Sequence, residues 1–183
     1  AAFVKGFTEG GGTITGSVRI ALKTTDYLPY FQKVKDANPD VVYVFNPAGP
    51  QATAFMKAFD DVGIVKSKIK IIGPADITSD EELPNMGRSP LGVVTLGQYS
   101  PAATRKSNLD FIAAWKKEYG ADSVPTFFAM AGWDGMRAIF DAIKAQNGKI
   151  DPDATMKFLR SWSNPNSPRG PIRIDEAGDL VQN

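Results

Sequence analysis

The chain contains neither cysteine nor histidine, so backbone turns, carboxylates and aromatic rings are left to bind or transform a small molecule. Thiol nucleophiles, Cys/His metal sites and every mechanism that needs imidazole as a general base are excluded. The serines lie in no Gly-x-Ser-x-Gly elbow, which argues against a serine hydrolase. These mechanisms are therefore not predicted, and no catalytic residue and no metal ligand is assigned.

Three adjacent carboxylates, Asp80, Glu81 and Glu82, are the remaining candidates for acid–base chemistry or metal binding. They precede Leu83-Pro84, where carboxylates commonly cap a short helix and are favoured by its dipole. A catalytic pair would also need pKa values raised by burial, and this polar context does not indicate burial. Helix capping is therefore the preferred interpretation.

Glycines 10–12 and Gly16 invite a nucleotide-binding interpretation. Their spacing matches neither GxGxxG nor GxxxxGK[ST], and they lie between a predicted helix and a predicted strand. That order is the reverse of the one that points a helix N-terminus at a phosphate. An ordinary turn is predicted here, and no cofactor is expected.

Two strand-to-helix turns, residues 46–51 and 73–78, are the strongest candidates for a ligand site. Each presents backbone N–H groups at the start of a helical segment, where a carboxylate can be accepted. Open parallel sheets bind ligands at the carboxyl ends of their strands, which is where both turns lie. The alternative is that both loops only reverse the chain.

An aromatic pair, Phe127 and Phe128, begins a long predicted helix. Adjacent helical positions point in different directions, so at least one ring should miss the core face that we predict from Met136, Ile139 and Phe140. A ring left beside a cleft could stack on an apolar or aromatic ligand. Packing in the core is the alternative for either residue.

The elements that position these residues alternate between strand and helix over the first hundred residues. Residues 40–45 are apolar at Val41, Val42, Val44 and Phe45 without alternation, which predicts a parallel sheet covered by helices on both faces. Further strands are predicted at 13–22, 68–72 and 91–96. Helices are predicted at residues 3–9, after Asp26 with Leu28 facing inward, and from Pro50 to a stop at Gly63. The fold class is thus α/β with a doubly wound parallel sheet.

Beyond residue 100 the pattern changes. Helices are predicted at 106–119, at 126–147 and from Asp151-Pro152 onward, followed by residues 170–175 and a turn into an unfinished strand. Three consecutive helices cannot continue an alternating sheet. A boundary is therefore predicted at residues 99–101.

Composition is that of a globular chain long enough for one core or two incomplete lobes, with 183 residues of which 43% are hydrophobic. Basic residues (21) nearly balance acidic ones (20) and are scattered, so no nucleic-acid partner is expected. The first residues look like the middle of a helix without a cap. We therefore expect that the chain is a fragment and that any signal peptide has been removed.

Several segments carry a resemblance through their order and spacing: Phe3-Val-Lys-Gly-Phe-Thr-Glu-Gly-Gly-Gly, Asp26-Tyr-Leu-Pro-Tyr-Phe-Gln-Lys-Val-Lys, Pro39-Asp-Val-Val-Tyr-Val, Ile72-Gly-Pro, Gly92-Val-Val-Thr, Ala131-Gly-Trp-Asp-Gly-Met and Gly170-Pro-Ile-Arg-Ile-Asp-Glu-Ala-Gly-Asp. The chain resembles the C-terminal half of periplasmic solute-binding proteins of branched-chain amino acid-type ABC transporters, the Leu/Ile/Val-binding family. The resemblance extends over almost the whole chain.

The resemblance implies a type I periplasmic binding fold, in which two α/β lobes are joined by crossovers. Residues 1–99 would form the second, C-terminal lobe without its first strand. Residues 100–183 would form a crossover and return helices that pack on the first lobe and end near the hinge. The missing N-terminal half would supply the sheet of that first lobe.

The function implied is that of a periplasmic solute-binding component of an ABC importer. It would capture a small carboxylate, either an aromatic acid or a branched-chain or aliphatic amino acid, between two lobes. It would then present this ligand unchanged to the permease membrane subunits. The alternative from another class is a cytosolic ligand-sensing or enzymatic domain with a doubly wound α/β fold, since fold alone does not fix function.

The resemblance also selects site residues. The family's ligand contact in the first turn falls on Ala48 and Gly49, and a family aromatic that contacts the ligand falls on Phe128. Gln51, at the end of the same turn, is included among the predicted ligand-binding residues. An acidic residue that binds a ligand ammonium in the family falls on Ala75, one residue before Asp76.

Ala75 is the departure from the family pattern. Burying an ammonium without a carboxylate partner costs several kcal/mol. If Asp76 does not take over that role, the ligand is expected to be a carboxylate with an apolar or aromatic body and no amino group.

Overall fold

A computed structural model describes residues 2–182 of the chain. Ala1, which the sequence places inside a helix, and Asn183, in the expected last strand, lie outside the described residues. Backbone proximity divides the chain into two units, of which unit 1 ends at Leu96 and unit 2 begins at Gly97. Unit 1 contains a parallel sheet and unit 2 an antiparallel one.

Unit 1 alternates helices with the strands of a parallel sheet. Strand β2 lies between β1 and β3 and pairs in parallel with both, which confirms the α/β fold class. The elements in chain order are α1 (Ala2–Glu9), α2 (Leu28–Ala37), β1 (Val41–Tyr43), α3 (Pro50–Asp61), β2 (Lys70–Pro74) and β3 (Val94–Leu96), with short 3-10 turns at Ile64–Lys66, Ala75–Thr78 and Leu83–Asn85.

Local chemistry fixes the ends of the helices in unit 1. Proline occupies the first turn of both α2 and α3, where its missing N–H costs nothing. Asp26 lies two residues ahead of α2, and its Oδ1 atom accepts a hydrogen bond from the Leu28 N–H at 3.0 Å. Gly63 follows α3 with a φ of 76°, the left-handed conformation that favours glycine. The predicted stop at Gly63 is therefore confirmed.

An aromatic cluster forms the core of unit 1 between α2 and α3. Phe31 lies 4.9 Å from Phe55 and 5.7 Å from Phe59, measured between ring centroids, and Tyr27 meets Phe55 edge-on at 5.5 Å. All four rings are buried, and burying a large apolar side chain contributes about 1.5–3 kcal/mol. This core holds α3 in place, and with it the corner from which α3 begins.

The strand predicted at residues 13–22 is absent, because this stretch pairs with no strand among residues 2–182 and is irregular. Val18 and Leu22 are exposed. A β-branched composition cannot form a strand where no neighbour offers backbone hydrogen bonds.

The expectation that residues 40–45 are covered on both faces is also wrong. β1 is only three residues long, Tyr43 is exposed, and Phe45 is 70% exposed. The Tyr43 ring instead stacks on Phe3 of α1, with centroids 3.9 Å apart. Leu28, which was expected to face inward, is exposed as well. The apolar run therefore does not mark a strand buried on both sides within unit 1.

Strand β2 begins two residues later than predicted and continues through the expected break at Gly73-Pro74. The reason is its pairing with β3, in which Gly73 lies opposite Thr95 and Pro74 opposite Leu96. Tertiary pairing overrides the turn preference of these two residues.

Unit 2 is mainly helical and ends in a small antiparallel sheet. The three consecutive helices predicted from the sequence are confirmed, whereas the three-stranded sheet, in the order β4-β5-β6, was not anticipated. None of the described helices is long and apolar enough to cross a bilayer. The elements are α4 (Lys106–Tyr119), α5 (Phe127–Ala145), α6 (Pro152–Leu159), β4 (Ser163–Asn164), β5 (Ile172–Ile174) and β6 (Leu180–Gln182).

The face of α5 predicted to be its core face is exposed. Within unit 2 the helix buries a different face, which consists of Phe127, Met130, Asp134, Ala138 and Ala142. The larger residues Met136, Ile139 and Phe140 remain exposed. A helix that is apolar on two sides normally needs a partner on each of them. The prediction of the core face of α5 from the size and hydrophobicity of its residues was therefore wrong for unit 2.

The exposed apolar face of α5 should make the isolated chain self-associate, because contiguous apolar surface favours association. Replacing Ile139 and Phe140 by glutamine is expected to shift the chain toward monomer in analytical ultracentrifugation. Ile150→Gln, at an exposed apolar residue outside α5, is the matched control and should leave association unchanged. A wild-type chain that stays monomeric at every concentration would contradict this expectation.

Candidate functional site

Two backbone corners follow β1 and β2 at the same edge of the sheet. The Val44 N–H donates to the Ile72 carbonyl at 3.0 Å, so the first corner begins directly beside β2. Gly73 is buried, and a Cβ atom there would lie 2.5 Å from the Val44 carbonyl oxygen and 2.8 Å from Cδ1 of Ile77. Only glycine fits where the two corners approach each other.

The first corner is held by side chains bonded to backbone. Asn46 Nδ2 donates to the Gln51 carbonyl at 3.1 Å, and Gln51 Nε2 donates to the carbonyl of Leu22. The Gln51 amide nitrogen is thus engaged by the protein itself. Ala48 and Gly49 are half-buried, and Gly49 has a φ of 105°.

The start of α3 has a distinct electrostatic character. Its first turn contains no acidic residue. The N-cap residue is Gly49, so no side chain at that position accepts a hydrogen bond from the first N–H groups of the helix. A helix N-terminus behaves as roughly half a positive charge. This corner therefore offers backbone N–H groups and a positive dipole end, and the acidic side chain that contacts the first turn is Glu82, through the Thr53 hydroxyl.

The second corner is the 3-10 turn Ala75–Thr78, which lies against α3. Ile77 is fully buried, and the Thr78 and Thr95 hydroxyls lie 3.2 Å apart. Ala75 and Asp76 are half-buried. Five of the six predicted site residues thus belong to adjacent segments of unit 1.

Phe128, the sixth predicted residue, belongs to unit 2. It is the second residue of α5 and is 59% exposed, whereas its neighbour Phe127 is buried. The centroids of the two rings lie 4.1 Å apart. The prediction that one ring of this pair misses the core is confirmed. Buried Phe127 gives the exposed ring a fixed neighbour.

The acidic loop differs from its sequence-based interpretation in two respects. Glu82 does not cap the following turn with its side chain but accepts a hydrogen bond from the Thr53 hydroxyl of α3. Burial raises the pKa of Asp80, although a backbone hydrogen bond of the same residue opposes the shift. The expectation that the polar context leaves these carboxylates unburied is therefore wrong for Asp80. Within residues 2–182, no cluster of three or more acidic side chains could hold a metal ion.

Sequence reasoning missed a buried polar cluster in unit 2. Asp134 of α5 is 2% exposed, and its Oδ2 atom accepts hydrogen bonds from Arg169 Nε at 2.9 Å and from the Ser167 hydroxyl at 2.8 Å. Its Oδ1 atom has no hydrogen-bond partner among the described residues. The available signal was the four-residue spacing of Asp134 from Met130 and Ala138, which places a carboxylate in an apolar stripe.

Side chains at the N-terminal end of α4 donate hydrogen bonds to backbone carbonyl groups of residues 167 and 168. The Ser107 hydroxyl donates to the Ser167 carbonyl at 2.9 Å, and Arg105 Nη1 donates to the Pro168 carbonyl at 3.1 Å. Residues 167–170 are therefore buried and fixed from two helices.

Two surface depressions lie elsewhere on the chain. One, of about 330 Å³, includes Phe111 and Trp133, and the other, of about 350 Å³, includes Phe59 and Ile71. Neither includes any of the six predicted site residues.

Comparison with solved structures places the chain in the class of solute-binding proteins with a type I periplasmic binding fold. A solute-binding protein of an ABC transporter from Rhodopseudomonas palustris BisB5, in complex with 3,4-dihydroxybenzoic acid, is 44% identical with a TM-score of 0.89. The match covers 98% of this chain and 49% of that one. The corresponding protein from R. palustris HaA2, in complex with p-hydroxybenzoic acid, is 34% identical with a TM-score of 0.93 over 99% of this chain and 49% of that one.

The chain belongs to the periplasmic binding protein family, whose model matches residues 1–183. Leu/Ile/Val-binding protein homolog 6 of Brucella melitensis is 34% identical over 185 residues, which comprise 100% of this chain and 47% of the relative. The resemblance to the Leu/Ile/Val-binding proteins is confirmed. The chain spans about half the length of the curated relatives it matches.

Proposed function

We propose that this chain is part of the solute-binding component of an ABC importer that captures a small aromatic carboxylate between two lobes. It acts in the periplasm and presents the ligand, chemically unchanged, to permease membrane subunits. The observation that carries the proposal is Ala75, an apolar residue where the resemblance calls for an acidic one. The ligands of the two R. palustris relatives, both hydroxybenzoic acids, support the same class.

The start of α3 favours a carboxylate over a neutral ligand. Backbone N–H groups and the positive helix end stabilise an anion, and the first turn itself contains no acidic residue. An amino acid would bring an ammonium as well, and Ala75 cannot pair with it. The carboxylate is therefore assigned to the corner that contains Ala48 and Gly49.

The exposed ring of Phe128 is assigned to the apolar body of the ligand. An aromatic contact of this kind contributes about 0.5–1.5 kcal/mol beyond the area it buries. Two rings, one from the protein and one from the ligand, are better matched than a ring and a branched aliphatic chain. The aromatic acid is preferred for this reason too.

Capture requires a second lobe, which we assign to a companion half of the protein. Residues 1–99 form the C-terminal lobe without its first strand, and residues 100–183 form the crossover and the helices that pack on the other lobe. The unpaired stretch 13–22 and the exposed face of α5 support this division. Ligand binding then shifts a hinge equilibrium by its higher affinity for the closed form.

A thermal-shift screen of the protein that combines this chain with its companion half tests the proposal. At a hundred times its Kd, a ligand adds about 2.7 kcal/mol to stability. 4-Hydroxybenzoate and 3,4-dihydroxybenzoate should stabilise the protein, whereas leucine and the uncharged benzamide should not. Stabilisation by leucine alone, or by no carboxylate at all, contradicts the proposed ligand class.

Phe128→Ala should weaken binding of 4-hydroxybenzoate by about threefold to tenfold, the range that corresponds to losing one aromatic contact. Isothermal titration calorimetry measures the change. Tyr119→Ala is the control, since it removes an exposed aromatic ring at the C-terminal end of α4, away from the exposed face of α5. Equal losses of affinity in both variants would remove Phe128 from the site.

An amino acid is the second candidate ligand, because Asp76 lies next to Ala75 and is half-buried. If Asp76 pairs with a ligand ammonium, Asp76→Asn should abolish binding of amino acids. For an aromatic acid, the same variant should bind as well as wild type or better, since a nearby negative charge is removed. The sign of the change therefore distinguishes the two ligands.

A further inference from the structure

Gln182, the last residue of β6, connects two segments of unit 2 that are far apart in sequence. Its Nε2 atom donates to the Arg169 carbonyl and to the Gln98 carbonyl, each at 3.0 Å. One primary amide thus uses both of its N–H groups on two backbone oxygens.

The two accepting residues have different surroundings. Arg169 is buried and pairs through its side chain with Asp134, so its backbone position is fixed. A buried ion pair cannot shift without leaving a charge unpaired. Gln98 follows Leu96, the last residue of unit 1, by two positions and lies in the segment by which the chain leaves that unit. Gln182 therefore ties this connecting segment to a buried, ion-paired residue of unit 2.

The tie itself is weaker than the pair that anchors it. Gln98 and Gln182 are exposed, so water competes for the Gln98 carbonyl and for the side-chain amide of Gln182. Hydrogen bonds formed in competition with water contribute little net free energy each. The connecting segment can consequently be held or released without disturbing the buried cluster.

We propose that Gln182 is a positioning residue for ligand binding, which it supports by holding the connecting segment at Gln98 in the arrangement that binding requires. The inference rests on the proposed function, in which the ligand uses residues of both units. If only a fraction of molecules has the competent arrangement, the apparent Kd rises in inverse proportion to that fraction. Gln182 acts through the chain connection and does not touch the ligand.

Gln182→Glu tests the inference in the protein that combines this chain with its companion half. The substitution keeps the size of the side chain but replaces the two donated N–H groups by acceptors that face carbonyl oxygens. We expect the apparent Kd for 4-hydroxybenzoate to rise about tenfold, as expected for losing two hydrogen bonds. The loss should appear in the association rate measured by stopped-flow fluorescence, with the dissociation rate nearly unchanged. Gln182→Lys, which retains N–H donors, should recover part of the affinity.

Gln146→Glu is the matched control, because Gln146 Nε2 also donates to two acceptors in unit 2, the Ala142 carbonyl and the Thr155 hydroxyl. It should lower the melting temperature without changing the association rate. Equal affinity of wild type and Gln182→Glu overturns the inference and leaves the proposed function intact. Equal weakening by both glutamate variants overturns it too, because general destabilisation then accounts for the effect. A wild-type protein that binds no carboxylate refutes the proposed function and the inference together.

Discussion

Asp134→Ala is expected to lower the free energy of unfolding of unit 2 by about 3–5 kcal/mol, the usual cost of removing one partner of a buried ion pair. The substitution leaves the Arg169 guanidinium buried without its carboxylate and removes the acceptor of the Ser167 hydroxyl. Urea denaturation measures the loss, with the fluorescence of buried Trp162 as a probe within the same unit.

An exposed ion pair of unit 2 provides the control. On α4, the Lys106 Nζ atom lies 2.6 Å from Asp110 Oδ2, but both side chains are mostly exposed. Asp110→Ala should therefore change stability by no more than about 1 kcal/mol. Replacing Asp134 by leucine and Arg169 by methionine together should restore most of the stability lost with Asp134 alone, because no unpaired charge remains. Similar costs for the two alanine variants would show that the Asp134 pair is not buried in solution.

Gly73→Ala is expected to cost about 1–3 kcal/mol of stability, the range for overfilling a packed site, and to abolish ligand binding at the corners. The added methyl group would meet the Val44 carbonyl oxygen and Ile77, so the backbone must move. Because this movement separates the first corner from the second, binding should suffer more than stability. Calorimetric titration with 4-hydroxybenzoate and urea denaturation provide the two measurements.

Gly16→Ala is the control for the glycine substitution. A Cβ atom at Gly16 would have no neighbour within 4 Å, and its φ is not in the left-handed range. Its stability and affinity should match the wild type. If Gly73→Ala binds the ligand with wild-type affinity, the closeness of the two corners is not required for binding.

Features set by local chemistry were predictable from the sequence. The helix predicted at 106–119 matches α4. Helices α2 and α3 each begin with proline in the first turn, as predicted. These features depend on periodicity, caps and backbone restriction within a few residues. The alternation of strand and helix likewise placed the two corners at one edge of a parallel sheet.

Features set by distant partners were not predictable. Residues 13–22 have the composition of a strand but no neighbour, and the extent of β2 depends on its pairing with β3. The buried face of α5 includes Asp134, whose partner Arg169 is 35 residues away in sequence. A single sequence does not tell which of two apolar helix faces a unit covers, or which carboxylate meets a guanidinium. The same limit applies to the proposed site: local patterns could place the two corners of unit 1, whereas the assignment of Phe128, a residue of unit 2, rests on the resemblance.

The contact between Phe3 and Tyr43 has a consequence for the order in which unit 1 opens. Helix α1 buries none of its described residues, and this stacked ring pair is its contact with β1. Opening of α1 exposes little apolar surface, so it should require much less free energy than global unfolding. The first helix can detach and return while the aromatic cluster around Phe55 stays closed. Unit 1 then behaves as two cooperative parts, and the corner at α3 belongs to the more stable one.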